Sequence, residues 1–458
     1  MEQLTATLAE RLRVALDPAT AGDAGAPTLT TTVRDQHPAD LAAALRDLAP
    51  AEALAVFAVL DDARAAEVLD ELDPELTRYL IAHAPPGRIA DLLDRLPMDD
   101  AAEVVAEAGD GQSARLLTDL AARAPADATE VRALLAYPEG TAGRLMTDKY
   151  AAVPTAATAA QVLQYLRSNA ASLETVDVVY VVDGAGRLLG ACPLRRVFTA
   201  GEWQPLREVM DPAPLAVAPE TDQAEVARAI ARYDLAALPV VAPDRRLLGI
   251  VTVDDAIDVL VEEFTADYLR LAGTDAEEME RRTPAQIARL RLPWLLGTMG
   301  IELCAGLVIA RFDDVLTQVI LLASFMPVIS AVSGNIGLQA AATVVRGLDT
   351  GHVSLKHAGR QVGKELTTAL LLALACGLVL GAVGAVWSRH LPFGLVIGGA
   401  MTCSMLTAGF MGTVIPMLSK RLGFDPATTA GPFETAFQDV IGFAVFLWLA
   451  SLLLQWLR

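Results

Sequence analysis

Hydrophobic positions follow two different patterns along this 458-residue chain, and the change lies near residue 280. Beyond it, five apolar stretches are each long enough to cross a bilayer as a helix, which takes about 20 residues. They cover residues 292–312, 315–345, 366–388, 391–418 and 431–457. Before it, apolar residues recur at the spacings of amphipathic helices and strands. We therefore expect a multi-domain membrane protein with a five-helix α transmembrane domain at residues 284–458.

The front of the chain repeats with a period of 24 residues between residues 39 and 120. The segments ADLAAALRDL, ARAAEVLDEL, GRIADLLDRL and GQSARLLTDL align without gaps, which places Leu45, Leu69, Leu93 and Leu117 in one register. Ala and Leu three positions apart form one apolar helical stripe. Stacking such short helices buries a continuous core, so we expect an all-α superhelical repeat domain at residues 1–142.

A different repeat follows, in which VVYVVDGAGRLLGACPLRRVF (178–198) is echoed by ALPVVAPDRRLLGIVTVDDAI (237–257). Each copy predicts an apolar strand, a turn, a second strand and then a helix. This arrangement resembles a tandem pair of CBS domains, which are α+β sensing modules, at residues 143–207 and 208–262.

CBS domains often hold adenine nucleotides through a run of Gly, two apolar residues, Thr, two further residues and Asp. The second copy keeps this run as Gly249, Thr252 and Asp255, whereas the first copy has Pro193 and Arg196 at the last two positions. The resemblance therefore implies a nucleotide such as ATP at the second copy. The alternative is a pair that is purely structural or senses ions.

An acidic helix is expected to connect these domains to the membrane at residues 256–283. Its start carries five acids within ten residues: Asp254, Asp255, Asp258, Glu262 and Glu263. Such a run is commonly a solvated face, but its position directly before the first span favours a cation site. The first 280 residues have a net charge of −25 and the remainder +5. An acidic front of this size repels nucleic acid and attracts cations.

Basic residues between the spans indicate the orientation. Ten of them fall on the side of the acidic front: Arg281, Arg282, Arg289, Arg291, Arg346, Lys356, Arg360, Lys364, Lys420 and Arg421. Only Arg311, Arg389 and Arg458 fall on the other side. The positive-inside rule then places the N-terminus in the cytoplasm and the C-terminus outside. The first residues also lack the apolar core of a signal peptide, so we expect the front to stay in the cytoplasm. Together with the five spans, this predicts a multi-pass protein of the cell membrane.

Three acids lie within the predicted spans: Glu302, Glu434 and Asp439. An intramembrane carboxylate costs about 2.5 kcal/mol or more, so each is a functional candidate, although Glu302 could simply bond to a neighbouring helix. Asp439 is deep in the last span. In a two-fold dimer, two copies of one carboxylate would attract a divalent cation more strongly than a monovalent one, and a wide polar site suits Mg2+, which keeps several of its waters.

Ser333-Gly334-Asn335 interrupts the long apolar second span, which predicts a break in the helix there. An interrupted helix can line a polar cavity. Gly334 and Asn335 therefore join Glu302 and Glu434 as candidate pore-lining residues.

Taken together, this order of elements resembles the MgtE family of magnesium channels. The most specific segments are FMPVISAVSGNIGLQAAATVVRGL (325–348), RLPWLL (291–296) and GPFETAFQDVIGF (431–443). The resemblance implies a homodimer in the lipid bilayer with its pore along the subunit interface, and an aspartate, here Asp439, that selects hydrated Mg2+. It also implies that cytoplasmic Mg2+ closes the pore by binding between acidic faces of the repeat domain, the CBS pair and the connecting helix.

The candidate acids of the repeat domain, chosen because they cluster in the corresponding segment, are Asp91, Asp94, Asp99 and Asp100. They would face the five acids at the start of the connecting helix.

Three other functions compete with this one. A less selective transporter of Co2+ or Mn2+ with the same architecture is the main alternative. An anion channel is disfavoured because the spans contain acids but, apart from Arg311 at the end of the first span, no Lys or Arg. An enzyme is not expected, since HExxH is absent, the histidines form no ligand cluster and GRQVGKE (359–365) lacks P-loop spacing. Transport should therefore be passive.

Overall fold

The leucine repeat of the front folds into short helices. The computed structural model describes residues 2–16, 29–85, 87–274 and 283–457. Its contacts divide the chain into two units, 1–263 and 264–458, which are described separately. The first unit begins with α1 (Glu2–Leu16), α2 (Leu29–Arg34), α3 (Pro38–Arg46), α4 (Pro50–Val59), α5 (Asp62–Asp70), α6 (Pro74–His83), α7 (Arg88–Leu93), α8 (Met98–Glu107), α9 (Asp110–Arg123) and α10 (Pro125–Leu135).

Proline and aspartate set where these helices begin. Pro50 and Pro74 occupy first-turn positions, where a missing N–H costs nothing. The side chain of Asp73 accepts hydrogen bonds from the backbone N–H groups of Glu75 and Leu76 at the start of α6, which satisfies donors that the helix leaves unpaired. The chain therefore turns at the points that the repeat predicts.

The buried leucine register changes in the last repeat. Leu45, Leu69 and Leu93 are fully buried, as predicted, but Leu117 is only partly buried. Leu116 and Leu120 are buried in its helix instead. The reason is helix length: α9 has 14 residues, whereas α3, α5 and α7 have six to nine, so α9 presents a different face to its neighbours.

Two β-containing modules follow, as the second repeat predicts. Their elements are α11 (Ala142–Leu145), β1 (Ala151–Pro154), α12 (Ala159–Asn169), β2 (Val178–Val182), β3 (Leu188–Pro193), α13 (Leu194–Thr199), α14 (Gln223–Tyr233), β4 (Ala237–Val241) and β5 (Leu247–Thr252). β1 is parallel to β2, and β2 is antiparallel to β3. In the second copy β4 and β5 are antiparallel, and Gly249 opposes Val240 as Gly190 opposes Val181. The two copies thus share one register.

The acidic connecting helix, α15 (Val253–Leu271), follows β5 without a break. It starts three residues earlier than predicted and ends at Leu271. Gly273 follows with φ +77°, a left-handed backbone conformation that ends helices and suits glycine. The rest of the predicted helix, residues 275–282, lies outside the described residues.

The membrane unit contains α16 (Pro284–Arg311), α17 (Asp313–Gln318), α18 (Met326–Asp349), α19 (Ala358–Ser388), α20 (Leu391–Leu422), α21 (Pro426–Ala430), α22 (Pro432–Leu452) and α23 (Leu454–Leu457). Among the described residues, five helical segments are long and apolar enough to cross a membrane, so the predicted five-helix domain is confirmed. Arg281, Arg282 and Arg458, which entered the orientation argument, lie outside the described residues.

The predicted break in the second span is wrong. α18 continues without interruption from Met326 to Asp349, through Ser333-Gly334-Asn335. The irregular segment lies earlier, where a short 3-10 helix (Ile320–Ser324) precedes α18. Gly334 serves packing instead, because a Cβ there would lie 3.4 Å from Thr435 Cγ2 of α22. Small residues that allow helices to approach closely are typical of membrane domains.

Glycines also bring α19 and α20 together. A Cβ on Gly377 would lie 2.7 Å from the carbonyl oxygen of Gly398, and one on Gly381 would lie 2.8 Å from that of Gly394. A side chain at either position would force the two helices apart. This pair of helices therefore forms a fixed scaffold beside α18 and α22.

Candidate metal centres

The carboxylate of Asp439 is oriented by a hydroxyl group from another helix. Asp439 lies on α22, and Ser330 Oγ of α18 is 2.7 Å from both of its carboxylate oxygens. One hydroxyl proton can serve either oxygen at a time, so the serine orients the carboxylate without cancelling its charge. Only 8% of Asp439 is exposed. The last span thus carries a nearly buried acid that retains acceptor capacity.

Glu302 lies beside Asp439. The Glu302 carboxyl on α16 is within hydrogen-bonding reach of the Asp439 carboxyl, while its side chain is exposed at the surface of the chain. Two ionised carboxylates in an apolar medium repel, and either a shared proton or a cation relieves that repulsion. The sequence identified both acids as candidates but gave no signal that they form a pair within one chain.

Glu434 is placed differently from the other intramembrane acids. It is fully buried, and within the described part of the chain neither of its carboxylate oxygens has a hydrogen-bond partner. Its carboxyl contacts Gly337 of α18. One turn later, Gln438 Nε2 donates to Ser404 Oγ at 3.1 Å. Glu434 therefore packs inside the helix bundle and does not face an open cavity of the chain.

The other two pore-lining candidates, both on α18, differ in burial. Gly334 is buried against α22, whereas Asn335 is exposed. The neighbouring Ser333 donates a hydrogen bond to the carbonyl oxygen of Ile329 at 2.6 Å and contacts Ser404 Oγ at 2.9 Å. Of the glycine and the asparagine, only Asn335 is available to an ion or to another subunit.

A second acidic centre lies in the first unit. Asp99 and Asp100 occupy the first turn of α8, and Asp255 lies at the start of α15. One carboxylate oxygen from each falls within 4.8 Å of the others, a spacing that could hold a metal ion. Asp99 Oδ1 is buried and has no hydrogen-bond partner among the described residues. We call these three residues the acidic cluster, and its oxygen donors are the ligands that Mg2+ prefers.

Crowding makes the ionised cluster unfavourable. Burial, followed by the charges of Asp70, Asp99 and Asp255, raises the pKa of Asp100 to about 10. Burial and the charge of Asp255 likewise raise the pKa of Asp99 well above its usual range. The pKa of Asp255 rises through burial, although the hydroxyl of Thr252 opposes this by donating to Asp255 Oδ2 at 2.6 Å. A divalent cation would relieve the repulsion that adds to the effect of burial on these pKa values.

Two acids near the cluster were missed from the sequence. Loss of surrounding water and the charge of Glu103 raise the pKa of Asp70 to about 7, although its side chain keeps access to solvent. Desolvation and the charge of Asp254 raise the pKa of Glu174. The 24-residue repeat aligns Asp70 with Asp94, which was an available signal. Nothing local pointed to Glu174, which follows α12.

The remaining sensor candidates do not join the cluster. Asp91 forms an ion pair with Arg123, with Oδ1 2.6 Å from Nε. Asp94 lies within hydrogen-bonding reach of Asp127, whose pKa is raised by burial and by this neighbour. Four more lie on α15: Asp254, Asp258, whose pKa is raised by burial and by Asp254, Glu262 and Glu263. Only part of the predicted set is therefore brought together.

The space beside the predicted nucleotide-binding residues is filled by other parts of the protein. A Cβ on Gly249 would lie 2.7 Å from the carbonyl oxygen of Thr147, and Thr252 is buried. A cleft of about 690 Å³ lies instead between the two copies. Its lining includes Asp177 and Arg196 of the first copy and Tyr233 of the second. The cleft therefore includes a position of the run from the first copy, Arg196, but not Gly249, Thr252 or Asp255 of the second.

The chain thus combines five membrane-length helices and a buried acid near a second carboxyl with a unit that contains CBS-like modules. This combination defines a membrane transporter. Family comparisons agree. The MgtE divalent cation transporter model matches residues 326–449, the MgtE intracellular N domain matches 36–140, and the CBS domain matches 206–262.

Relatives that match most of the chain identify the family. The chain is 36% identical over 452 residues to the magnesium transporter MgtE of Thermus thermophilus, covering 97% of this chain and 99% of the relative. It is 33% identical over 330 residues to the magnesium transporter MgtE of Enterococcus faecalis, covering 72% and 73%. The chain belongs to the MgtE family of magnesium transporters. The predicted family is confirmed, and these relatives are named as transporters, in agreement with the expectation that the chain is not an enzyme.

A solved structure resembles the water-soluble part. The cytosolic domain of the Mg2+ channel MgtE in complex with ATP has a TM-score of 0.51 and 39% sequence identity, covering 55% of this chain and 99% of that one. Together with the confirmed five spans, this likeness confirms the predicted fold class.

Proposed function

We propose that the chain is a Mg2+-selective channel that moves the ion passively into the cytoplasm. The observation that carries this proposal is the Asp439 carboxylate, which is buried at membrane depth, oriented by Ser330 and close to Glu302. The N-terminus would be cytoplasmic and the C-terminus external, so that an inside-negative potential contributes about 4.6 kcal/mol per divalent ion per 100 mV.

In this proposal two chains form a homodimer with the pore between them. Glu302 and Asn335 are polar side chains exposed on the chain, whereas most residues at this depth in the membrane are apolar. A partner subunit would place both residues in a shared ion pathway. Asp439 from each chain would bind a hydrated Mg2+ through its waters, since Mg2+ loses water reluctantly. Glu434, being fully buried, would support the helix bundle and not the ion path.

Cytoplasmic Mg2+ would close the channel by binding at the acidic cluster. Asp99, Asp100 and Asp255 would hold the ion, and Asp70 and Glu174 would add negative charge around it. When Mg2+ is scarce, the ionised acids repel and α8 separates from α15. Several weak sites are sufficient, because moving a two-state equilibrium from 1:99 to 99:1 takes about 5.5 kcal/mol in total.

Nucleotide binding is proposed at the cleft between the two CBS-like copies. Arg196 supplies a guanidinium for phosphate and Tyr233 an aromatic face, and both line the cleft. The ATP complex of the similar cytosolic domain supports this choice of ligand.

The proposal is tested by Mg2+ uptake into liposomes that contain the purified chain, with Mg2+ varied on the cytoplasmic side. We expect uptake at low internal Mg2+, closure as Mg2+ rises, and loss of uptake in Asp439→Ala. Absence of uptake by the native chain would contradict the channel proposal. A second candidate, general divalent transport, is favoured by the family description as divalent cation transporter, and equal uptake of Co2+ or Mn2+ under matched gradients would support it.

A further inference from the structure

A buried hydrogen-bond network joins three helices inside the membrane unit. Gln438 Nε2 of α22 donates to Ser404 Oγ of α20 at 3.1 Å, and Ser404 Oγ lies 2.9 Å from Ser333 Oγ of α18. Ser333 in turn donates to the carbonyl oxygen of Ile329 at 2.6 Å. Since a carbonyl can only accept, each hydroxyl proton in this network points away from Gln438. The network therefore has a fixed direction, and Gln438 is its first member.

The first member lacks a donor of its own. Gln438 Oε1 is buried and has no hydrogen-bond partner among the described residues, and the same holds for both carboxylate oxygens of Glu434. Glu434 is fully buried and lies four residues before Gln438, so the two side chains share one face of α22. A proton on the Glu434 carboxyl could be donated to Gln438 Oε1. One proton would then satisfy two acceptors and remove a buried charge.

The helices around Glu434 offer glycine where a donor side chain could stand. A Cβ on Gly337 of α18 would overlap the Glu434 carboxyl, and a Cβ on Gly412 of α20 would overlap the carbonyl oxygen of Gly337. One turn earlier on α18, a Cβ on Gly334 would lie 3.8 Å from Gln438 Oε1. Contacts this close favour a proton, which needs no extra volume, over a hydrated cation.

The charge that acts on Glu434 is that of Asp439, five residues later on the same helix. Two negative charges so near each other in an apolar medium repel, which favours the protonated form of Glu434. Charged groups of the neighbouring helices have contacts of their own: Glu302 with Asp439, Arg346 with Phe264, and Lys420 with Asp349.

We propose that Glu434 is a proton-binding site of the membrane unit. At neutral pH its carboxyl is protonated and donates to Gln438 Oε1, which completes the network from α22 to α18. Asp439 directly follows Gln438 and is bonded to Ser330 of α18. The proton thereby holds α22 where Asp439 meets the ion path, a consequence that rests on the proposed function. Loss of the proton places a charge between the helices and separates α22 from α18.

Thermal unfolding of the full chain in detergent, from about pH 6 to about pH 9, tests the proton site by comparing native chain with Glu434→Gln. The folded native chain keeps a proton that its unfolded form has released. Its folding equilibrium constant should therefore fall about tenfold per pH unit relative to the variant, until Glu434 ionises in the folded chain as well. The native unfolding temperature should drop increasingly below that of Glu434→Gln as pH rises.

Glu365→Gln on α19 is the matched control. It makes the same exchange in the membrane unit, but the Glu365 carboxylate already accepts a hydrogen bond from Gln361 at 3.2 Å, so its difference from native should not change with pH. The acidic cluster is the same in all three chains and cancels in the comparison. If Glu434→Gln fails to fold, Glu434→Met, which is also neutral and similar in length, decides by the same pH dependence.

Mg2+ uptake into liposomes with equal pH on both sides tests the consequence for transport. Between about pH 7 and about pH 9, native uptake should fall at least about threefold more than that of Glu434→Gln. A pH-independent difference in unfolding temperature would overturn the proton site. A widening difference with equal loss of uptake in both chains would overturn its role in placing Asp439. If the native chain takes up no Mg2+ at any pH, the proposed function fails, whereas the unfolding measurement still decides the proton site.

Discussion

Replacing one carboxyl of the acidic cluster by an amide should stabilise the chain and weaken its response to Mg2+. Asp100→Asn replaces a carboxyl whose pKa is raised to about 10, chiefly by burial and then by Asp70. Because the folded-state pKa is raised, this carboxyl stabilises the fold below its ordinary range near pH 4. That contribution is lost as pH rises towards 10. At pH 7 without Mg2+, the native chain therefore bears a cost that the amide removes.

The size of this free-energy cost follows from the difference between pH 7 and the ordinary pKa of an aspartate. This difference gives about 4 kcal/mol as an upper limit, and partial solvent access reduces it to about 2 kcal/mol. For a unit of this size, about 2 kcal/mol corresponds to an increase in the unfolding temperature of about 4–8 °C. Native chain should gain stability when Mg2+ is added, whereas Asp100→Asn should gain less than half as much because one ligand is lost.

Thermal unfolding of the full chain in detergent at pH 7, with and without Mg2+, measures both effects. Glu67→Gln is the matched control, since Glu67 is exposed on α5 and also exchanges a carboxylate for an amide. It should keep the native Mg2+ response. A fall in the unfolding temperature of Asp100→Asn, or an undiminished response to Mg2+, would refute the electrostatic account of the cluster.

Three further variants test other parts of the account. Glu434→Gln should fold and transport as the native chain does, with equal or higher thermal stability, because it removes a buried carboxylate that has no hydrogen-bond partner among the described residues. A loss of folding would show that the carboxyl itself is needed. Ser330→Ala should lower Mg2+ uptake about fivefold, because Asp439 loses its orienting donor, and native uptake would count against that role. Arg196→Ala should weaken ATP binding, measured by calorimetry, about tenfold, and unaltered affinity would place the nucleotide elsewhere.

Local patterns predicted most of the fold. The leucine repeat predicted short stacked helices because each copy carries its own turn signals, and capping at Asp73 bears this out. The Leu-Leu-Gly strands and the membrane spans were equally visible, since each depends on a periodicity or a length that one segment contains. Leu117 departs from its register because helix length depends on packing between neighbours.

Packing also explains the wrong prediction in the second span. Ser333, Gly334 and Asn335 are residues that often interrupt helices, but here Gly334 admits α22 and Ser333 bonds to the backbone of its own helix and to Ser404. A sequence cannot distinguish a glycine that breaks a helix from one that brings two helices together. That choice depends on what lies opposite.

The candidate sites divide in the same way. Asp439, Asp99, Asp100 and Asp255 were identifiable because acids are conspicuous in a span or clustered on a helix start. The pairing of Glu302 with Asp439 and the approach of Glu174 to the cluster arise only when distant segments fold together. The cleft between the two CBS-like copies was missed because a binding motif specifies ligand chemistry but does not reveal whether the space beside it is filled.

Mg2+ uptake by Asp439→Asn in liposomes, at low internal Mg2+, tests the central claim most directly. The amide keeps the size of the side chain and removes only its charge, and Asp313→Asn on α17 is a matched control outside the long spans. We predict that Asp439→Asn loses uptake by at least about tenfold while Asp313→Asn transports as the native chain does. Native uptake by a folded Asp439→Asn chain would contradict the assignment of Asp439 to the ion path.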